Sequence, residues 1–160
     1  MRLQILTLAA AMTVLAACDT TKPADNSAAA GVSQGTTNGG VALSVVDQWK
    51  QTVGDRIFFD FDKSSISPEA KAILERQSAF LKANAQITLT VEGHCDERGT
   101  REYNLALGER RATADKNGLV ALGVQASRLQ TISYGKERPA VVGSNEAAWA
   151  QNRRAVGVIN

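Results

Sequence analysis

The pattern that most restricts the fold is a short run in which apolar and polar residues alternate. From Ile87 to Glu92 every second residue is Ile, Leu or Val, and Gly93 follows. A period of two is typical of a β-strand that buries one of its faces. Because a second layer must cover such a face, the run predicts a layered domain with helices or another sheet packed on the strand.

Two long helical patterns can provide that layer. The first begins at Ser67, a residue type that caps helix N-termini, with Pro68 at the first helical position. Apolar residues then recur at the helical spacing until Asn84. The second pattern covers about residues 101–122, and Gly123 follows it as a typical C-terminal stop. Each helix therefore has an apolar face that can pack on a sheet.

Three further strands and a short helical segment complete the predicted elements. The strands cover residues 56–59, 129–134 and 154–159, and the short helical segment covers 145–151. The order β-α-β-α-β-β predicts an α/β (α+β) two-layer sandwich, with the helices on one face of a mixed sheet. The folded domain is predicted to span residues 54–160.

The N-terminal segment has the pattern of an export leader. An apolar run follows Arg2 and extends to Leu15, which is too short for a bilayer span of about 20 residues and fits a signal peptide. The sequence Leu15-Ala16-Ala17-Cys18 resembles the lipobox of bacterial lipoproteins. That resemblance implies that residues 1–17 are removed and that Cys18 carries a covalent lipid, with no other cofactor. The alternative is an ordinary secretory leader with an incidental Cys18.

Asp19 bears on which membrane holds the lipid. An aspartate directly after the lipidated cysteine resembles the inner-membrane retention signal of enterobacterial lipoproteins, a rule that is looser in other Gram-negative lineages. We expect anchoring at the periplasmic face of the outer membrane, and Asp19 leaves the inner membrane open.

A tether is predicted between the lipid and the domain. Residues 19–46 are rich in small and polar residues and carry three charges, a composition that cannot bury enough apolar surface to fold. We therefore assign residues 18–53 to the lipidated cysteine and a flexible linker, which averages about 30 Å in span. Lys and Arg number 18 against 16 Asp and Glu, and this balance, with the export leader, argues against nucleic acid as a partner.

One long motif and three shorter ones resemble a known family. The run from Val91 to Ala112 resembles the signature of the OmpA-like peptidoglycan-binding domain, and residues 59–63, 133–139 and 152–156 are similar to its other segments. The resemblance covers about residues 54–160 and implies the fold of the OmpA C-terminal domain.

The family pattern also implies a binding site for the free end of meso-diaminopimelate in the peptidoglycan stem peptide. That end is a zwitterion, so a site needs an anion and a cation close together. The pattern places the carboxylate for the ammonium at Asp96 and the guanidinium for the carboxylate at Arg111, since an arginine fork matches a carboxylate. The further residues that the resemblance implies are Asp62, Phe61, Lys63, Asn104 and Arg153.

The resemblance implies a non-enzymatic lipoprotein that tethers the outer membrane to peptidoglycan within the Tol envelope-integrity and cell-division system. The implied partners are peptidoglycan, TolB-type and TolA-type proteins, and the membrane through the lipid. OmpA-type outer-membrane proteins are further candidates.

Two alternatives remain open at this point. The domain can act mainly as a protein-interaction hub, for which the sequence offers no separate surface. The run His94-Cys95-Asp96 contains the residue types of a cysteine hydrolase. Neighbours on an extended segment point to opposite sides, however, whereas a nucleophile and its base must lie about 2.6–3.2 Å apart. The sequence also lacks the spacing of a metal site such as His-Glu-x-x-His, so we expect neither catalysis nor metal binding.

Overall fold

The folded part of the chain is built on a four-stranded mixed sheet. In the computed structural model, which describes residues 43–160, the strands are β1 (Arg56–Phe58), β2 (Leu89–His94), β3 (Leu129–Gly135) and β4 (Arg154–Ile159). The strand order is β1-β4-β2-β3. β4 runs antiparallel to β1 and β2, and β3 runs parallel to β2. The predicted signal peptide, Cys18, Asp19 and the linker up to residue 42 lie outside the described residues.

Two long helices, α2 (Pro68–Ala83) and α3 (Arg101–Ala121), cover one face of this sheet. The parallel pair β2 and β3 is connected by α3, as a parallel connection requires a crossover. The shorter elements are α1 (Val45–Asp47), which continues as a π-helical turn over Gln48–Gly54, a 3₁₀ turn at Ala126–Arg128 and α4 (Glu146–Asn152). The predicted two-layer α/β sandwich is confirmed.

Helix boundaries follow from capping groups that the sequence supplies. The Ser67 hydroxyl accepts a hydrogen bond from the Ala70 N–H at 3.1 Å, and Thr100 caps α3 in the same way. Asn84 closes α2 through its N–H to the Phe80 carbonyl at 3.0 Å. Gly123, just beyond α3, has φ of +94°, a conformation that glycine adopts without a steric penalty.

Strand β2 lies two residues further along the chain than the alternation predicted. Its pairing with β4 extends from Leu89 opposite Ile159 to His94 opposite Arg154. Ile87 instead donates its N–H to the Asn84 carbonyl in the turn after α2. The alternation identifies which residues face the core, whereas the ends of the strand depend on how far its neighbours pair with it.

The segment before β1 is part of the packed domain. Trp49 is 1% exposed and donates its indole N–H to the Gly157 carbonyl at 2.6 Å. A Cβ on Gly157 would lie 2.9 Å from the Trp49 ring, so the packing of the ring against β4 requires a glycine at position 157. Trp49 thus anchors this segment to the rest of the domain. The predicted domain boundary at residue 54 lies inside this packed segment.

The second face of the sheet carries no helix among the described residues. Its outward side chains include Phe58, Ile132 and Val158, which are 39–40% exposed. Within residues 43–160, no helix is both long and apolar enough to cross a membrane.

Candidate functional site

A pocket of about 170 Å³ opens beside the loop that joins β2 to α3. The loop after β1 forms one wall, and the first turns of α3 form the floor. Five of the seven residues predicted for the site line this pocket: Phe61, Asp62, Asp96, Asn104 and Arg111. Its other lining includes Arg98, Tyr103 and Cys95.

Asp96 lies just beyond β2 and is 5% exposed. One carboxylate oxygen accepts the Arg98 backbone N–H at 3.1 Å and the Arg98 Nε–H at 3.2 Å. The other accepts Arg98 Nη2 at 2.6 Å and Arg153 Nη1 at 3.5 Å. Burial opposes the charge, but the hydrogen bonds from Arg98 outweigh burial and lower the pKa of Asp96 below its ordinary value. The pocket therefore contains a carboxylate that is ionised at neutral pH.

Arg111 is fully buried beneath the pocket. Its guanidinium donates to three backbone carbonyls, those of Lys63 at 2.9 Å, His94 at 2.9 Å and Asp60 at 3.1 Å. Among residues 43–160, no carboxylate oxygen lies within ion-pair distance of this guanidinium. Burial lowers the pKa of Arg111 from its ordinary value, but an arginine keeps its charge in a protein. The pocket thus has a cation that only carbonyl dipoles compensate.

Asp62 supplies a second carboxylate from the loop after β1. Its φ of +57° is unusual for a residue with a side chain, so the loop holds it in a strained conformation. The Tyr103 hydroxyl donates a hydrogen bond to Asp62. Phe61, beside it, is 57% exposed at the mouth of the pocket.

Two of the predicted site residues, Lys63 and Arg153, do not line the pocket. The Lys63 ammonium forms an exposed ion pair with Asp60 at 3.4 Å, so Lys63 contributes its backbone carbonyl to Arg111 and not its charge. Arg153 is buried behind Asp96, where it also donates to the Phe59 carbonyl at 3.0 Å and to a Glu146 carboxylate oxygen. Arg154, the next residue, donates instead to the carbonyls of Asn152 and Arg138 and does not line the pocket.

Asn104 orders the loop that carries Asp96. Its amide group donates to the carbonyls of Arg98 at 2.7 Å and Thr100 at 2.9 Å. These bonds hold the loop backbone against the start of α3, and the side chain is 2% exposed.

Sequence reasoning missed Arg98 and one of the two aromatic residues beside it, Trp149. The Arg98 guanidinium lies 4.0 Å from the ring centroids of both Phe61 and Trp149. An aspartate often bonds the backbone N–H two residues later, so the spacing from Asp96 to Arg98 was a usable signal for the loop. Nothing local to the sequence indicated that Trp149, on α4, meets the same guanidinium.

The geometry argues against the cysteine-hydrolase alternative. Cys95 is buried and its thiol contacts the Asn104 carbonyl at 3.3 Å, and burial raises its pKa. His94 ends β2 on the other side, where its ring lies 5.6 Å from the Tyr134 ring at a tilt of 37°. Burial, and then the charge of Arg154, lower the pKa of His94 to about 4. The thiol therefore has neither the thiolate form nor a base beside it, which nucleophilic catalysis needs.

Comparison with known proteins agrees with this architecture. The OmpA family matches residues 58–153, and the chain belongs to the OmpA family. A peptidoglycan-associated lipoprotein of Mesorhizobium japonicum is 47% identical over 94% of this chain and 88% of its own length. One from Pasteurella multocida is 46% identical over 96% of this chain and 95% of its own length. The crystal structure of the peptidoglycan-associated lipoprotein from Burkholderia pseudomallei superposes with a TM-score of 0.68 at 39% identity, covering 73% of this chain and 100% of that one.

Proposed function

We propose that this chain is a non-enzymatic envelope lipoprotein whose folded domain binds peptidoglycan through the free end of meso-diaminopimelate. The family, the relatives that are named for their association with peptidoglycan and the charged pocket all support this proposal. The predicted leader and Cys18 supply the membrane attachment, and the domain supplies the attachment to the wall.

The observation that carries the proposal is a buried guanidinium, that of Arg111, which has no ion-pair partner among residues 43–160 and lies in one pocket with the carboxylates of Asp96 and Asp62. Arg111 uses one N–H of each guanidinium nitrogen for a backbone carbonyl, which leaves one N–H on Nη1 and one on Nη2. A ligand carboxylate that reaches the floor of the pocket can accept these two N–H groups. Because a buried charge without a partner is unfavourable, such a ligand gains more than it would at an exposed arginine.

The ammonium of the same ligand needs a carboxylate a few ångströms away. Asp96 and Asp62 both line the pocket that Arg111 underlies. An amino acid end presents the two charges on one carbon, so a site of this kind favours a zwitterion over a simple amine or a simple acid. Phe61 and Tyr103 at the mouth can contact the aliphatic part of the stem peptide.

Co-sedimentation with purified sacculi tests the proposal. The chain is expected to pellet with sacculi that contain meso-diaminopimelate and to stay in the supernatant with lysine-type sacculi, which lack the terminal carboxylate. Asp62→Asn and Asp96→Asn should each weaken pelleting at least several-fold, because a charge-assisted hydrogen bond to the ammonium is lost. Asp60→Asn is the matched control, since Asp60 is exposed and outside the pocket. Equal pelleting with both kinds of sacculi would refute the site.

We further propose a place in the Tol–Pal system, with TolB-type and TolA-type proteins as partners at the outer membrane. Phe61 and Tyr103, which line the site and are exposed, offer apolar surface for a protein contact, which would make protein and peptidoglycan compete. Pelleting of the chain with sacculi in the presence of increasing TolB checks this, and pelleting that TolB leaves unchanged would contradict a shared surface.

A further inference from the structure

The carboxylate of Asp96 is already saturated in the free protein. An ionised carboxylate has about four acceptor positions, and Asp96 has four donors, three from Arg98 and one from Arg153. A ligand ammonium therefore cannot bind Asp96 by simple addition. One of the donors has to leave first.

Of these donors, only the Arg98 guanidinium can leave at small cost. The Arg153 side chain is 8% exposed and is also held by Phe59 and Glu146. The Arg98 side chain is 30% exposed. Within residues 43–160, the hydrogen bonds and ion pairs of its guanidinium all go to Asp96, and its remaining polar contacts are with the aromatic faces of Phe61 and Trp149. Cation–π contacts at such sites are weak, about 0.5–1 kcal/mol, so the ion pair with Asp96 is the main restraint on this side chain.

We propose that Arg98 is an internal substitute for the ligand ammonium, which occupies Asp96 in the free protein and is displaced when the zwitterion binds. This inference rests on the proposed function. Arg98 keeps Asp96 ionised and correctly oriented while the pocket is empty. It also disfavours ligands whose contacts do not offset the free energy of displacing Arg98 from Asp96. A ligand offsets this free energy only if it reaches both Asp96 and Arg111.

Displacement lowers the apparent affinity of the site. The apparent dissociation constant equals the intrinsic one divided by the fraction of molecules in which Asp96 is free. If Arg98 is away from Asp96 about a tenth of the time, its removal tightens binding about tenfold. A residue that merely contacts the ligand would have the opposite effect, since its removal would weaken binding.

Titration of the full-length chain in detergent micelles with meso-diaminopimelate tests the inference. Trp149 reports displacement directly, because its ring stacks on the Arg98 guanidinium. Wild type is expected to change its tryptophan fluorescence on binding, and Trp149→Phe should bind without that change. Arg98→Ala should bind about tenfold more tightly, and Arg98→Lys should lie between the two because its ammonium cannot form the fork. Arg101→Ala, which removes an exposed arginine on the same segment, should match wild type.

The outcomes separate this inference from the proposed function. If Arg98→Ala binds meso-diaminopimelate as wild type does or more weakly, with an unchanged melting temperature, the displacement proposal is wrong and the binding site stands. If neither wild type nor Arg98→Ala binds the amino acid or pellets with sacculi, the proposed function fails and the displacement proposal fails with it.

Discussion

Arg111 has both a proposed role in ligand binding and a structural role. It is proposed to receive the ligand carboxylate, and it also joins α3 to two other chain segments through the carbonyls of Asp60, Lys63 and His94. Those carbonyls belong to the loop after β1 and to the end of β2, which form the pocket. The guanidinium therefore builds the site as well as binding in it.

Arg111→Ala is expected to destabilise the domain by about 3 kcal/mol, because three buried carbonyls lose their donor and a large buried side chain leaves a void. Arg111→Lys should recover part of the loss, since an ammonium keeps the charge but cannot span all three carbonyls. Urea denaturation followed by circular dichroism measures both. The adjacent and exposed Arg110 is the control, and Arg110→Ala should change stability by less than about 0.5 kcal/mol. Equal midpoints for Arg110→Ala and Arg111→Ala would show that the carbonyl contacts contribute nothing.

Two buried titratable groups, Asp115 and His94, change the free energy of unfolding with pH in opposite directions. Burial raises the pKa of Asp115 to about 7, above its value of about 3.9 in an unfolded chain. The folded state then binds the extra proton, so Asp115 favours folding most below about pH 4 and less as the pH rises to about 7. His94 has the opposite sign, because burial and Arg154 lower its pKa to about 4 against about 6.5 unfolded. Its contribution is complete above about pH 6.5 and is lost as the pH falls to about 4.

Wild type should therefore show little change in the free energy of unfolding between about pH 4 and pH 6.5. Asp115→Asn removes one of the two opposing slopes, and its stability should rise with pH by up to about 1.4 kcal/mol per pH unit in this range. His94→Asn should show a fall of similar size. Urea denaturation at several pH values measures all three proteins. A wild-type profile that rises as steeply as that of Asp115→Asn would show that Asp115 ionises normally in the folded state, and a flat profile for Asp115→Asn would show that His94 does.

At the scale of elements, the contact between α3 and β2 depends on two glycines. A Cβ on Gly93 would overlap the Gly108 carbonyl, and a Cβ on Gly108 would overlap the Ser133 hydroxyl and lie 3.0 Å from the Gly93 carbonyl oxygen. The helix backbone therefore lies directly on the strand backbone. This close approach brings Asn104, in the first turn of α3, and Arg111, at the middle of the helix, up to the loop after β2.

Gly108→Ala is expected to cost about 1–3 kcal/mol. The added methyl would overlap the Ser133 hydroxyl and would also lie 3.0 Å from the Gly93 carbonyl oxygen, which cannot move away without separating helix and strand. Gly118→Ala on the same helix is the matched control. Its Cβ would lie 2.7 Å from the end of the Leu74 side chain, which can rotate, and alanine is a better helix former by up to about 1 kcal/mol. Denaturant midpoints compare the two variants. A larger loss for Gly118→Ala than for Gly108→Ala would contradict the argument from backbone contact.

At the scale of the whole molecule, one chain is proposed to attach both to a membrane, through the lipid on Cys18, and to peptidoglycan, through the pocket. Cys18→Ser should release the protein from membrane fractions, because without acyl chains it loses about 0.8 kcal/mol for each buried methylene. Sacculus binding by the same variant should match wild type, since the pocket lies beyond residue 58. Cell fractionation and co-sedimentation measure the two properties separately. Membrane association that survives Cys18→Ser would contradict the lipid anchor.

The choice of membrane is a separate question, and it depends on Asp19. Wild type is expected in the outer-membrane fraction of a density gradient, and Asp19→Ser should leave it there. If wild type is instead found in the inner-membrane fraction and Asp19→Ser moves it outward, the outer-membrane assignment is wrong and Asp19 acts as a retention signal.

Much of the fold was predictable because its signals are local. The alternation before Gly93, the cap at Ser67 and the stop at Gly123 each depend on residues that are close in sequence. These signals fixed the order of elements and the face that each one buries. The family motif then indicated Asp96 and Arg111 as residues of one site.

The rest required the tertiary structure, because it depends on residues far apart in the chain. Arg98 lies beside Trp149 only because α4 packs next to the loop after β2, and the burial of Arg111 depends on carbonyls about 50 residues away. Charge type and spacing can therefore identify the groups of a zwitterion site. Which of them are exposed, paired or saturated is decided by packing between distant segments.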